Sequence, residues 1–382
     1  MARTRTRTAS PAKKPSLSDQ MRARAGTKNK ETSKDPDRFL SSGSTMLNLA
    51  MTGRIDAGWP LSRISTLPGQ SAAGKTILVL GTFAEACIDS KFDEYDLYYD
   101  DVERRNDFDL DKLFKPLASR LMTPSGLLYR DLPGSDAETG ISNTIQDLKN
   151  TMMTLKKKGG PFIYIADSLD SFSTDEELDK EMKKALQAAK TDAAVKKISG
   201  SYNVEKAKIL GQILRMINGV IADTNSLFIL TQQIRQRMNP MFGQSPYVTS
   251  GGEAPYFYSH IRPWLTKVES YKALGRKIGV RSKAVMEKNS VTGQLRDVDF
   301  DIYYDMGIDD VGSMVRFMLT ENHWKSGSWI EAPELELREN GKDKLARAIE
   351  EKNLEVKLRR AVQRVWNKIE QEIKLNRKPR YK

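Results

Sequence analysis

The chain has 382 residues, 39% of them hydrophobic, and 62 Lys+Arg against 50 Asp+Glu give it a formal net charge of +12. That length suits roughly two domains of about 100–200 residues each, and the charge argues for a polyanionic partner, nucleic acid before an anionic membrane surface. One cysteine excludes a disulfide framework, and two histidines, His260 and His323, leave little for a zinc site. No apolar run approaches the about 20 residues that a spanning helix needs.

The N-terminus, "MARTRTRTASPAKKPS", is basic and lacks an apolar core, so it does not read as a secretory signal, although organelle transit peptides share its Arg- and Ser/Thr-rich look. Residues 1–38 are expected to form a disordered basic tail, with at most one weak helical turn near Ser16 to Ala25. Regular structure is expected from "SSGSTMLNLAMTG", an amphipathic segment introduced by Ser and Gly. Strand candidates follow: "RISTL" (63–67), "YDLYYD" (95–100), "LLYR" (127–130), "FIYIA" (162–166) and "SLFIL" (226–230). Helices are expected between them at 75–89, 138–157 and 203–222. This alternation predicts βαβ units on a mainly parallel sheet. Cys87, in "FAEACIDS", reads as a packing residue on a buried helix.

In the helix at 203–222, Leu210, Ile213, Leu214, Ile217 and Val220 make the apolar face, and Lys208, Gln212 and Arg215 make a polar stripe on another. After Gly252 the pattern changes, and "PWLTKVES", "GVRSKAVMEK" and "DVDFDIYYD" read as consecutive, antiparallel strands. From about 310 the chain turns helical and charged. A final helix at about 355–375 places Leu358, Val362, Val365, Trp366, Ile369 and Ile373 on one face, with Arg359, Arg360, Arg364 and Lys368 away from it. Residues 39–308 are therefore expected to be one core, 309–375 a small C-terminal domain and 376–382 a basic tail.

"GQSAAGKT" fits G-x-x-x-x-G-K-[ST], with a strand before it and a helix after. Its residues, Gly69, Gln70, Ser71, Ala72, Ala73, Gly74, Lys75 and Thr76, are the candidate phosphate cradle. Glycines let backbone amides face phosphate oxygens, Lys75 reaches the β/γ-phosphates, and Thr76 ligates Mg²⁺. A nucleotide and Mg²⁺ are therefore expected here. "FIYIAD" supplies Asp167 as the acid that holds the metal through water. The water that attacks needs a base, and "YDLYYD" running into "DVERR" offers Asp100, Asp101 and Glu103. A solvated strand end would look the same at these three positions. "TQQIRQRMNPMFG" (Thr231 to Gly243) leaves a core strand and carries cations, methionines and a phenylalanine into a long loop. Arg235 and Arg237 there suit phosphates, and Met241 and Phe242 can wedge between unstacked bases.

From Ser42 onward the sequence resembles the RecA recombinases, including the phage UvsX type. The residues that carry this are "SSGSTMLNLAMTGRIDAGWPLSRISTLPGQSAAGKT", "DVE", "IADS" and "TQQIRQRMNPMFGQSPYVTSGGEAPYFYSHIR". The resemblance covers about residues 40–375 and implies a RecA-like P-loop ATPase core, α/β, with a mainly parallel central sheet flanked by helices. It implies that the nucleotide is ATP, and it makes Glu103 the catalytic glutamate and Gln233 the side chain that touches the γ-phosphate. It implies DNA loops at about 180–203 and 234–252, the latter ending in Gly251 and Gly252, with Lys208 and Arg215 facing the strand. It also implies that Lys288, in "MEKNS", reaches the neighbouring subunit's ATP. The sequence departs from the family pattern at Ser290, where a second lysine is expected. It departs again at Leu110, where a tyrosine packs on adenine, and in its lysine-rich "KKALQAAKTDAAVKKISGS". The implied function is a DNA-dependent ATPase that forms filaments on single-stranded DNA and pairs it with homologous double-stranded DNA. Its partners would be further copies of itself, a single-strand-binding protein and a loading mediator. The expected place is the cytoplasm, that of a bacterial host if the chain is phage-encoded. The alternatives are a hexameric RecA-fold helicase and a non-catalytic ATP-binding DNA-coating protein.

Overall fold

The computed structural model describes residues 38–105, 108–121, 142–179, 202–237, 246–378 and 380. From Arg38 onward they belong to one compact unit. In chain order the first elements are β1 (Phe39–Leu40), α1 (Thr45–Thr52), β2 (Trp59–Pro60), β3 (Arg63–Gly69), α2 (Lys75–Ile88) and β4 (Asp96–Asp101). Two short helices, α3 (Leu110–Leu113) and α4 (Lys115–Leu121), precede α5 (Ile145–Lys158), β5 (Phe162–Asp167), α6 (Tyr202–Asp223) and β6 (Leu227–Gln236). Then come β7 (Tyr247–Thr249), α7 (Ala254–Tyr258), β8 (Ile261–Ala273), β9 (Arg276–Asn289), β10 (Asp297–Tyr303) and β11 (Gly307–Asp309). The C-terminal part holds α8 (Asp310–Thr320), β12 (Ile330–Ala332), β13 (Leu337–Glu339), α9 (Lys342–Glu351) and α10 (Glu355–Glu372).

The main sheet has the order β11-β10-β9-β8-β3-β6-β5-β4, with β7 added to β6. Strands β4, β5, β6 and β3 run parallel, and β8 to β11 continue the sheet as antiparallel neighbours. The α/β core with its mainly parallel half is thus as the sequence predicts. The parallel strands are apolar almost throughout because both faces are covered: Tyr98, Tyr164 and Phe228 face one buried cluster, and Leu97, Ile165 and Ile229 face the other. The first cluster packs beneath α5 and α6, whose Leu148, Met152, Leu210, Leu214 and Ile217 are buried.

Several boundaries differ from expectation. Helix α5 starts at Ile145 rather than 138, because Thr144 and Asp147 form a reciprocal cap: Asp147 N–H donates to Thr144 Oγ1 at 3.0 Å and Thr144 N–H to Asp147 Oδ2 at 2.9 Å. The expected strand at 127–130, the N-terminal tail and the lysine-rich stretch of the first loop fall outside the described residues. Strand β6 extends to Gln236 and pairs with β7, Ile234 opposite Thr249 and Arg235 opposite Val248. The segment from Ile234 therefore begins as a hairpin arm, because β7 supplies the backbone partners that a free loop would lack. In α10, Leu358, Val362, Val365 and Trp366 are buried as predicted, whereas Ile373 lies past the last turn and is 54% exposed. Residues of α8, α9 and α10 join the same core cluster as β8–β10 and α1. Arg296 clamps Glu370 of α10 at 2.6 and 2.9 Å, which holds the last helix to the sheet.

Candidate nucleotide site and adjoining hairpin

The carboxyl ends of β3, β4, β5 and β6 meet at one edge, where α/β sheets place their ligands. Sheet register aligns the chemistry: Gly69 pairs with Gln233, and Asp101 pairs with Asp167. After β3 the chain turns through Gln70–Gly74 into α2. Ala72 has φ 58° and Gly74 φ 84°, so successive amides curl into a concave nest of the kind that binds anions at a helix start. Glycine at 74 is required twice over, by its left-handed backbone and by packing, since a Cβ there would lie 2.1 Å from Ile302 Cδ1. Ser282 Oγ on β9 donates to Ala73 O at 2.9 Å, and Lys267 N–H on β8 donates to Gln70 Oε1 at 3.0 Å. The antiparallel half of the sheet thereby holds the turn.

Lys75 is buried, with Nζ donating to Gly69 O and Gln70 O at 3.0 Å each. Burial lowers its pKa, opposed by the negative charges of Asp167, Glu103 and Asp170. Thr76 Oγ1 donates to Asp167 Oδ2 at 2.9 Å. Asp167 is also held by Tyr99 OH at 2.9 Å and Thr231 Oγ1 at 2.5 Å. Among the described residues no group of three or more His, Cys, Asp or Glu is placed to hold a metal ion. Thr76 and Asp167 are the pair that could hold Mg²⁺, the remaining ligands being phosphate oxygens and water as this ion prefers.

Glu103 lies just beyond β4 with its side chain 16% exposed. It accepts from Gln233 Nε2 at 2.6 Å and from Ser168 Oγ, and Arg105 stands 3.6 Å away. Of the three acids offered by that strand end, Glu103 lines the pocket with Lys75, Thr76, Asp167 and Gln233. Asp100 does not: it is fully buried, accepting from Tyr164 OH at 2.6 Å and Ser142 N–H at 3.0 Å, and burial pushes its pKa up to about 6. Asp101 is also buried and outside the pocket lining. Sequence reasoning missed the apolar walls of this cavity of about 380 Å³, which are Phe108, Val280, Ile302 and Tyr304. Leu110, the position matched to an adenine-packing tyrosine, instead opens α3 and packs against the main core. Phe108, two residues earlier, lines the pocket instead, and an aromatic within one turn of the expected position was the available signal.

The DNA candidates divide. Lys208 and Arg215 are exposed on α6, Arg215 Nε donating to Tyr258 OH at 3.1 Å. Arg235, on the β6 arm, meets Asp170 at 3.4 Å, and Arg237 N–H closes the arm onto Pro246 O at 2.7 Å. Met241 and Phe242 lie outside the described residues. Gly251 and Gly252 carry φ of 84° and 67°, and a Cβ at Gly251 would strike Leu169 and Leu210 at 2.7 Å. These glycines let the hairpin's return strand lie close on α6. Lys288 is not a pocket residue of its own chain; its Nζ donates to Tyr256 O at 3.0 Å and Phe257 O at 2.8 Å.

Nest, buried lysine, Thr–Asp pair and glutamate at the carboxyl edge of this sheet define a RecA-like nucleotide-binding core. Comparison with known proteins agrees: the RecA N-terminal domain family matches residues 142–309. Protein RecA of Parvibaculum lavamentivorans is 28% identical over 295 residues, 76% of this chain and 69% of its own length. Protein RecA of Helicobacter pylori is 28% identical over 316 residues, 79% of this chain and 77% of its own. Protein RecA of Brucella canis is 27% identical over 310 residues, 80% of this chain and 75% of its own. The chain is thus similar to RecA proteins over 76–80% of its length. Among the described residues no helix is long and apolar enough to cross a membrane.

Proposed function

We propose that the protein is a DNA-dependent ATPase that assembles along single-stranded DNA and promotes pairing and exchange with a homologous duplex. The observation that carries this is the continuity of β6, which brings Gln233 to Glu103 at 2.6 Å and runs on within two residues to Arg235 on the hairpin arm. Nucleotide chemistry and the DNA contact Arg235 share one strand in this reading.

In this reading the nest from Gly69 to Gly74 and Lys75 bind the phosphates, and Phe108 and Tyr304 wall the base. Glu103 polarises the attacking water, and Gln233, now donating to Glu103, is within reach of the γ-phosphate. Mg²⁺ would be held by Thr76 and Asp167 and would neutralise charge on the β- and γ-oxygens. Lys288, outside its own pocket and next to the exposed Phe257, would serve the neighbouring copy.

An ATPase assay with and without single-stranded DNA, paired with electron microscopy of the product, tests the proposal. DNA-stimulated turnover with helical filaments is expected. Closed rings would favour a helicase, and nucleotide binding without turnover would favour a coating protein.

A further inference from the structure

Asp170 sits three residues beyond Asp167, in a single 3₁₀ turn, Leu169–Ser171, between the metal-side acid and the chain that leads away from the pocket. Its side chain is only 7% exposed. Its two oxygens are divided between two functional positions of β6: Oδ2 accepts from the backbone N–H of Gln233 at 2.7 Å, and Oδ1 meets Arg235 Nη2 at 3.4 Å. Arg235 itself is 68% exposed, so solvent and any arriving anion reach its guanidinium freely. Asp170 also acts electrically on both sides of the strand. Lys206 of α6, whose pKa is lowered by burial, is pulled back up by Glu177 and Asp170, and the Asp170 charge is felt at Lys75 as well.

We infer that Asp170 is a positioning residue that holds the γ-phosphate glutamine and the first hairpin arginine on one carboxylate, so that nucleic-acid phosphate must compete with Asp170 for Arg235. This rests on the reading of Arg235 as a DNA contact. The geometry makes the competition asymmetric. The Gln233 bond is short and to backbone, and it survives whichever way the arginine points. The Arg235 contact is long and exposed, the kind of ion pair worth only a few-fold in an equilibrium constant. A phosphate can therefore take the guanidinium at small cost, leaving Asp170 bonded to Gln233. Conversely, while Arg235 stays on Asp170, one phosphate contact is withheld from the DNA.

Asp170→Asn keeps an acceptor for the Gln233 amide and removes the charge, with nearly unchanged volume. Binding of a fluorescent oligo-dT is measured without and with ATP across a salt series for the parent, Asp170→Asn, Arg235→Ala and the double variant, the Asp170→Asn comparison being made without nucleotide. Asp170→Asn should bind two- to fivefold more tightly at low salt, roughly the worth of an exposed pair. Its log–log salt slope should steepen by up to about one unit, the contribution of one added phosphate contact. Arg235→Ala should flatten the slope below that of the parent with ATP present, and the double variant should match Arg235→Ala. Asp170→Asn with parental affinity and slope, or a gain that persists without Arg235, overturns the inference while leaving the DNA reading intact. An unchanged slope in Arg235→Ala with ATP present overturns that reading, and the inference with it.

Discussion

Glu103 owes its place to neighbours far away in sequence. Ser168 follows Asp167 and Gln233 lies three residues past the apolar part of β6, and both donate to one of its oxygens. A glutamine at 103 keeps the shape but cannot take a proton from water. Glu103→Gln should therefore bind nucleotide as the parent does and turn over about 10²–10⁴ times more slowly, measured as single-turnover phosphate release alongside equilibrium nucleotide binding. Gln233→Ala should leave that binding nearly intact but uncouple it from DNA, read as loss of the ATP-dependent gain in oligonucleotide affinity. A buried acid and a half-buried histidine contribute opposite slopes to the pH response. Asp100 has its pKa raised from 3.8 to about 6, chiefly by burial, and His260 has its pKa lowered from 6.5 to about 4 by burial and by Arg63, Lys288 and Arg38. The raised acid contributes stability that is full below its unfolded value and is lost as pH rises through about 6. The depressed histidine contributes stability that is present above 6.5 and is lost as pH falls through about 4. Between these limits the two oppose each other. Relative to the parent, stability should rise more steeply with pH across that window in Asp100→Asn and less steeply in His260→Gln, as followed by denaturant titration at a series of pH values.

The antiparallel strands do more than widen the sheet. Ser282 and Ile302 of β9 and β10 touch the phosphate turn directly, so their placement is part of the site. What fixes them is Asp301, fully buried on β10, which meets Tyr271 OH at 2.7 Å, Lys342 Nζ at 3.1 Å, Arg281 Nε at 3.6 Å and the Arg316 guanidinium. The partners come from β8, α9, β9 and α8, so one carboxylate ties the C-terminal helices to the strand beside the phosphate turn. Removing one partner from such a cluster strands the others' charge away from water. Asp301→Asn should destabilise by about 3–5 kcal/mol in urea unfolding, a loss that a merely exposed ion pair would not give. Nucleotide affinity should fall with it even under conditions where the fold persists.

For the whole molecule, the position of Lys288 separates a self-contained enzyme from one completed by its neighbour. Its ammonium rests on the carbonyls of Tyr256 and Phe257, and the Phe257 ring is 71% exposed beside it. Lys288→Ala should leave nucleotide binding by the isolated protomer unchanged and abolish stimulation of turnover by single-stranded DNA. A cation supplied in trans can contribute about 10³–10⁵ in turnover. Mixing this variant with Glu103→Gln should restore part of the activity, at contacts that pair an intact Glu103 with an intact Lys288. No recovery in mixtures shown by crosslinking to co-assemble would place the lysine's role within its own chain.

Local signals sufficed for the strand–turn–helix around Gly69 to Thr76, the parallel strands and the apolar faces of α6 and α10. In each of them neighbouring residues carry the chemistry, through glycines at a turn, unbroken apolar runs or a 3.6-residue period. The acid at the end of β5 was legible for the same reason. The choice of Glu103 from three adjacent acids came from family resemblance, and the separation of their surroundings is tertiary: Asp100 is spent on Tyr164 and Ser142, and only the fold could show that. The cavity walls Phe108 and Tyr304, the hairpin arm that replaced an open loop, and the tether from Asp170 to Gln233 and Arg235 join residues up to hundreds of positions apart. No window of sequence contains such pairs. Strand register decides which side chains share an edge, and register is set by the packing of both sheet faces at once.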